Sequence, residues 1–343
     1  MSAAAPSETL SIALSIDSVI WGCVFFNEPT FATIGGAPKG YDGVAYGRDY
    51  KVFHAFAKAN APGMVILGPG SVGETGLATG FTLVKTEDML SQPRSEVDAF
   101  SYHFYGGVSK RCARPGMPSQ VTAEKALSED WLSRTNKDQA FYAALRDKYE
   151  AGKPIWLTET GETACGGDPW ASSFIDSFRY LNQLGTLAKR GVQVVIHNTL
   201  AASDYGLIDE STLEPRPNYW AALLWRNLMG TTVLDAGPSP APNVYLYAHC
   251  LRGRPGGVAL LAINADRSAA HELVVPTKSE RFALTANDLM GNRVDLNGRE
   301  LILGAGDALP QMKGETTKAG NVSLAPASIT FLAIPEAGNA VCR

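Results

Sequence analysis

Apolar and polar residues follow two rhythms over the first two-thirds of the chain. Short runs rich in β-branched and aromatic residues recur near 18–26 (SVIWGCVFF), 63–68 (within GMVILGPG), 98–105 (within DAFSYHFYGG), 154–159 (within KPIWLTET) and 192–197 (within GVQVVIHN). Glycine or polar residues close each run, which predicts strands. Helical spacing fills the gaps between them. Tyr50, Phe53, Phe56 and Ala57 share a face within 47–60, and a long helical stretch ends near FYAALRDKYEAG (141–152). Phe174, Phe178, Leu181, Leu184 and Leu187 line one face of 171–190, and a helix over 218–230 is expected to stop at Gly230. Strand and helix alternating about five times predict a parallel sheet with covering helices, as in a doubly wound sheet or a TIM barrel. After residue 231 the rhythm changes. NVYLYAHCL, GVALLAINA, AHELVVPT and SITFLAIP are short strand signals set between Gly, Pro, Asn and Ser, the texture of an all-β sandwich or partial barrel. The expected division is 1–232 and 233–343.

Composition narrows the functional classes. At 343 residues, 45% hydrophobic and 19% charged, the chain can bury one large core or two. A net charge of −4 leaves no electrostatic footprint for nucleic acid or an anionic membrane, and the short basic clusters (Lys110, Arg111, Arg114; Arg252, Arg254) read as solvated surface. No apolar run approaches the roughly 18 residues of a membrane span. The N-terminus lacks the basic segment of a signal peptide. GPGSVGETG (68–76) has neither phosphate-binding glycine spacing. Five cysteines without a CxxC and five histidines without an HExxH give no metal-ligand pattern. No metal and no cofactor is expected.

The candidate chemistry sits where strands end. VFFNEPTF (24–31) delivers Glu28 directly after an apolar run, His103 and Tyr105 close the third strand, Glu159 closes the fourth, and Asp204 and Tyr205 follow the fifth. A solvated Glu28 in an Asn-Pro turn is the competing reading. In (β/α) barrels the catalytic groups stand at the C-terminal strand ends. Two strand-end glutamates are what glycoside hydrolysis needs: one carboxylic acid protonates the leaving oxygen while the other carboxylate attacks the anomeric carbon.

Asn27-Glu28-Pro29 resembles the acid/base motif ending the fourth strand of clan A glycoside hydrolases, and KPIWLTET resembles their seventh-strand nucleophile motif. The flanking WLTETGETACGGDPWASSF, RGVQVVIHNTLAASDYGLIDESTLEPRPNYWAALLWRNLMGTTVL and VYLYAHCL narrow this to a resemblance to the heparanase-like glycoside hydrolases of family 79, from about residue 20 to the C-terminus. The resemblance implies a partial (β/α)8 TIM barrel, strands four to eight, followed by a β-sandwich. It also implies a retaining β-glucuronidase of endo or exo action. Glu28 would be the general acid/base, Glu159 the nucleophile, Asn27 a partner of the sugar 2-hydroxyl and Tyr105 a holder of the nucleophile. Tyr205 with the Gly166 and Gly167 amides would bind the uronate carboxylate. Glu74 and His103 are secondary candidates for substrate contact. Cys250 and Cys342 match a disulfide pair of the family, whereas Cys23, Cys112 and Cys165 are expected to stay reduced.

Two departures qualify the picture. Glu74, Thr75 and Gly76 stand where mammalian relatives carry basic residues, which disfavours a heavily sulfated substrate. Three further βα units of the family would precede residue 20. The sheet is therefore expected to be an open half-barrel with one wall of its cleft absent, and the chain by itself to aggregate or to have negligible glucuronidase activity. The expected partner is a glucuronate-containing glycan or small glucuronide, met outside the cytoplasm. Two rivals stay open: another clan A glycosidase, of arabinofuranosidase or xylosidase type, and an inactive remnant that only binds sugar.

Overall fold

The computed structural model describes residues 22–78, 80–93, 96–113 and 121–343. Residues 18–21 of the first predicted strand lie outside them. The chain forms two compact units.

The first unit takes in the described residues up to Phe104, Asp138–Glu159 and Val192–Ile196. Its framework is a five-stranded sheet, β1 Gly22–Val24, β2 Val65–Ser71, β3 Ala99–Tyr105, β4 Ile155–Gly161 and β5 Val192–His197, in the order β1-β2-β3-β4-β5. The strands run parallel as a curled half-barrel, as expected. The register of β2 shifts between Pro69 and Ser71, at Gly70, whose φ of +74° glycine tolerates. Helix α1, Gly43–Asn60, begins four residues before the periodicity suggested, because Asp42 caps it by accepting from the Ala45 N–H at 2.9 Å. It buries Tyr46, Tyr50 and Ala57 against Met64, Ile66 and Val97. A short helix α2, Thr86–Leu90, follows; its five residues are too few for periodicity to reveal. Helix α3, Glu129–Tyr149, sends Tyr142 to stack on Tyr102 of β3 at 5.0 Å between ring centroids.

The second unit takes in Tyr105–Lys137, Thr160–Gly191 and His197–Arg343. It contains α4, Phe174–Lys189, and α5, Pro217–Leu228. The chain then continues as strands: β6 Met229–Leu234, β7 Val244–Leu251, β8 Val258–Asn264, β9 His271–Val275, β10 Ser279–Thr285, β11 Asp295–Leu296, β12 Arg299–Glu300, β13 Glu315–Thr317, β14 Gly320–Leu324 and β15 Ser328–Ile334. One antiparallel sheet runs β12-β11-β10-β15-β8-β7-β6 with β13 on β10, and β14 pairs with β9 in a second. Phe174, Phe178, Leu181, Trp220 and Leu224 of the helices share one apolar cluster with Leu261, Ile263, Ile329 and Phe331 of the strands. The 232/233 boundary falls inside β6, so 1–232 and 233–343 remain a proposed division by fold type.

Cys250 and Cys342 are bonded, their Cα atoms 5.3 Å apart. A correction concerns the other thiols. Cys112 and Cys165, expected to be reduced, form a second disulfide with Cα atoms 6.2 Å apart. Fifty-three residues of sequence hide the pair. It forms because an isolated parallel bridge, Val108 to Ala164, carries the pairing of neighbouring segments beyond the strands. Cys23 is a free thiol.

Candidate active site

Glu28 stands on a turn that the sequence makes rigid. Pro29 opens a 3-10 turn, Pro29–Phe31, and Phe31 N–H donates to Glu28 O at 2.9 Å. Buried Thr30 pins that turn to the end of β2: its hydroxyl donates to Val72 O at 2.9 Å and accepts from Val72 N–H at 3.2 Å. Glu28 itself takes φ +51°, ψ +58°. That region is uncommon for a residue with a side chain, and such outliers cluster at functional sites. The turn thus holds a half-buried carboxylate at one fixed point. Alternation along β4 sends Ile155, Leu157 and Glu159 to one face. Ile155 and Leu157 are buried, while the Glu159 side chain, at the strand end, keeps 28% exposure.

His103 of β3, its side chain only 4% exposed, joins the two glutamates. Its Nδ1 lies 3.2 Å from Glu28 Oε1 and 3.6 Å from Glu159 Oε2. With its hydrogen on Nδ1, the ring can donate toward either carboxyl oxygen. One oxygen of each glutamate and the His103 nitrogen all lie within 4.8 Å of one another. Those three residues could also hold a metal ion, and two carboxylates with an imidazole suit a hard or borderline divalent cation. Such an ion would occupy both carboxylates and leave neither for acid/base or nucleophilic work.

In the second unit a separate polar group forms around two tyrosines. Tyr105 and Tyr205 are buried, their rings 6.2 Å apart. Asn198 at the end of β5 donates from Nδ2 to both hydroxyls, at 2.9 Å to Tyr105 and 3.4 Å to Tyr205. Sequence reasoning passed over Asn198. The signal available was its strand-end position after VQVVIH. Gly161 makes room for the pair: a Cβ there would stand 2.8 Å from Tyr205 Cδ1 and 3.1 Å from Tyr105 Cε1. His197 bonds Tyr205 O at 2.7 Å and fixes the backbone beneath the ring.

Gly166 and Gly167 both adopt positive φ, +85° and +80°. The Gly167 N–H is directed to Thr163 O at 3.2 Å, so a ligand at that amide competes with a turn bond. Asn27 is exposed beside Glu28. Glu74, a secondary candidate for substrate contact, has its carboxylate engaged within the fold. Its carboxylate accepts from Thr86 N–H at 3.0 Å, from the Thr86 hydroxyl and from Tyr142 at 3.4 Å, and burial raises its pKa.

No family model matches the chain. It is 33% identical over 189 residues to the baicalin-β-D-glucuronidase of Scutellaria baicalensis, covering 52% of this chain and 36% of that one. It is also 33% identical over 248 residues to the heparanase of Gallus gallus, covering 65% and 46%. The chain is a homologue of the heparanase-like glycosidases. It spans less than half the length of these two relatives. A 4-O-α-L-rhamnosyl-β-D-glucuronidase structure from Fusarium oxysporum superposes with a TM-score of 0.64 at 14% identity over 92% of this chain and 70% of that one. An α-L-arabinofuranosidase structure from Thermotoga petrophila does so with 0.66 at 15% over 97% and 70%. Both agree with the barrel-type fold. A glucuronidase and an arabinofuranosidase both match this fold, so substrate preference has to come from the side chains.

Proposed function

We propose that this chain carries the catalytic carboxylates of a retaining glycoside hydrolase acting on β-glucuronides. The observation that supports this most is the Glu28–His103–Glu159 cluster, with glutamate oxygens within 4.8 Å of one another at strand ends. Retaining enzymes hold their two carboxyls roughly 5–5.5 Å apart, whereas inverting ones need more room for a water. In this reading Glu159 attacks the anomeric carbon to form a glycosyl ester as Glu28 protonates the departing oxygen. Glu28, now a carboxylate, takes a proton from water, which displaces Glu159 and restores the starting configuration. His103 Nδ1–H donates to Oε1 of Glu28, which as the acid keeps its proton on the other oxygen, and faces Glu159. Exposed Asn27 meets the 2-hydroxyl of the sugar.

Glucuronate, rather than a neutral sugar, is favoured by the Tyr205 phenol and the Gly166 and Gly167 amides. These donors satisfy a carboxylate without a fixed cation that would have to be desolvated. The two disulfides support folding in an oxidising compartment. Among the described residues no helix is long and apolar enough to cross a membrane. The test compares 4-nitrophenyl β-glucuronide, β-xyloside and α-arabinofuranoside, with release followed to a single turnover so that slow chemistry is seen. Release from the glucuronide alone is expected. Release from a neutral sugar but not the glucuronide moves the protein to another clan A activity. Binding without release from any of them leaves a sugar-binding protein.

A further inference from the structure

The segments that follow β3 and β4, residues 107–112 and 162–168, are laced together more densely than a surface loop requires. Ala164 N–H donates to Gly107 O at 2.9 Å, Ser109 N–H to Ala164 O at 3.0 Å and Lys110 N–H to Asp168 Oδ1 at 2.9 Å. Buried Glu162 receives the Asp168 N–H at 2.8 Å and the Thr163 hydroxyl at 2.7 Å. The Cys112–Cys165 disulfide closes the lacing on the exposed side.

Arg111 completes it. Its Nη1 faces the carbonyl oxygens of Cys165 (3.5 Å), Gly166 (3.1 Å) and Gly167 (3.2 Å), and its Nη2 pairs with Asp204. The Asp204 N–H donates to the same Gly166 carbonyl at 2.9 Å. A peptide group is planar and trans, so its C=O and N–H point in opposite directions. Drawing the Cys165 carbonyl toward Arg111 therefore aims the Gly166 N–H away from it, and drawing the Gly166 carbonyl aims the Gly167 N–H, which rests on Thr163 O at 3.2 Å until a ligand displaces that bond. The Arg111 side chain is 52% exposed, so the fold does not depend on burying it.

We propose that Arg111 and the Cys112–Cys165 disulfide form a clamp that aims the Gly166 and Gly167 amides and thereby sets the preference for a carboxylate-bearing over a neutral sugar. Arg111 is a positioning residue, since it acts through the loop. The clamp's link to sugar preference rests on the uronate reading above; its mechanical part does not.

Two measurements on the full chain test it, with Arg111→Ala, Arg111→Lys and the Cys112→Ser/Cys165→Ser pair, each checked for native near-UV dichroism. The first is amide hydrogen exchange in a peptide covering 164–168. The second is titration with 4-nitrophenyl β-glucuronide and, separately, the β-glucoside. Arg111→Ala and the Cys pair are expected to speed exchange and to weaken glucuronide binding about tenfold, the size of one charge-assisted hydrogen bond, with glucoside binding unchanged. Arg111→Lys, with a point charge in place of the planar fork, should fall between. Unchanged exchange in both variants overturns the clamp. Faster exchange with equal losses for both sugars overturns the selectivity role. Faster exchange in a protein whose native form shows no glucuronide preference keeps the clamp and rejects the uronate reading. Should the Cys pair not fold, Arg111→Ala decides alone.

Discussion

Gly161→Ala is the sharpest probe of the tyrosine pair. Gly161 is buried near the end of β4, and the added Cβ would meet Tyr205 Cδ1 at 2.8 Å, Tyr105 Cε1 at 3.1 Å and Tyr205 Cε1 at 3.1 Å. Both rings are buried and tied through Asn198, so neither can swing into solvent without breaking a hydrogen bond. Overpacking of this kind costs about 1–3 kcal/mol. Against it, alanine reduces the freedom of the unfolded chain and returns about 0.4–1 kcal/mol. The expected net is a loss of about 1–2 kcal/mol. Gly63→Ala supplies the reference, because its Cβ meets nothing within 4 Å and its φ lies outside the glycine-favouring region. That variant should be neutral or slightly stabilised. Urea midpoints at unchanged m-value separate the two outcomes. Gly161→Ala should also weaken glucuronide binding, because Tyr205 is pushed from its place. A Gly161→Ala protein as stable as Gly63→Ala, with glucuronide affinity intact, would refute the claim that this glycine holds space for the tyrosines.

Other expectations follow from single groups. Removing the Cys250–Cys342 cross-link, which spans 92 residues, should cost up to about 4–5 kcal/mol in the chain-entropy treatment; a Cys250→Ser/Cys342→Ser midpoint equal to the parent's would show that the cross-link constrains nothing. Glu28→Ala should spare substrates with good leaving groups and stop those with poor ones, whereas Glu159→Ala should stop both; identical losses for the two substrate types in Glu28→Ala would remove its acid role. Burial, with the Asp176 carboxylate adding to it, pushes Glu162 up from 4.5 to about 8. The folded state therefore holds a proton that the unfolded chain has lost. Stability from this group is intact below about pH 4.5 and is lost as pH rises through 8. Glu162→Gln should flatten that decline in thermal scans from pH 5 to 9, and an unchanged pH slope would count against it.

Much of the architecture could be read in advance, because parallel strands announce themselves as short apolar runs closed by glycine or polar residues. Val65–Leu67, closed by Gly68, and Ile155–Leu157, closed by Thr158, are such cases. The two glutamates were readable for a related reason: a carboxylate directly after such a run has to emerge at the strand end. Tertiary facts were less accessible. The end of α5 was expected at Gly230, yet Met229 already belongs to β6, because pairing with β7 overrides the helical pattern of the preceding residues. Glu74 was a secondary candidate for substrate contact through the resemblance, and only the fold brings Thr86 and Tyr142 to its oxygens. Arg111 read as solvated surface and Cys112 as a reduced thiol, because nothing local shows that Cys165 and Gly166 lie beside them. Asn198 is one polar residue among many until Tyr105 and Tyr205 converge on it.

The central claim is that Glu159 attacks the anomeric carbon of a glucuronide. The most direct measurement is covalent trapping with a glucuronate-configured cyclophellitol epoxide, followed by peptide mass spectrometry. One adduct is expected, on Glu159, absent in Glu159→Gln and much slower with the glucose-configured reagent. Labelling of Glu28 or of another residue, equal labelling by both reagents, or no adduct in folded protein would contradict it.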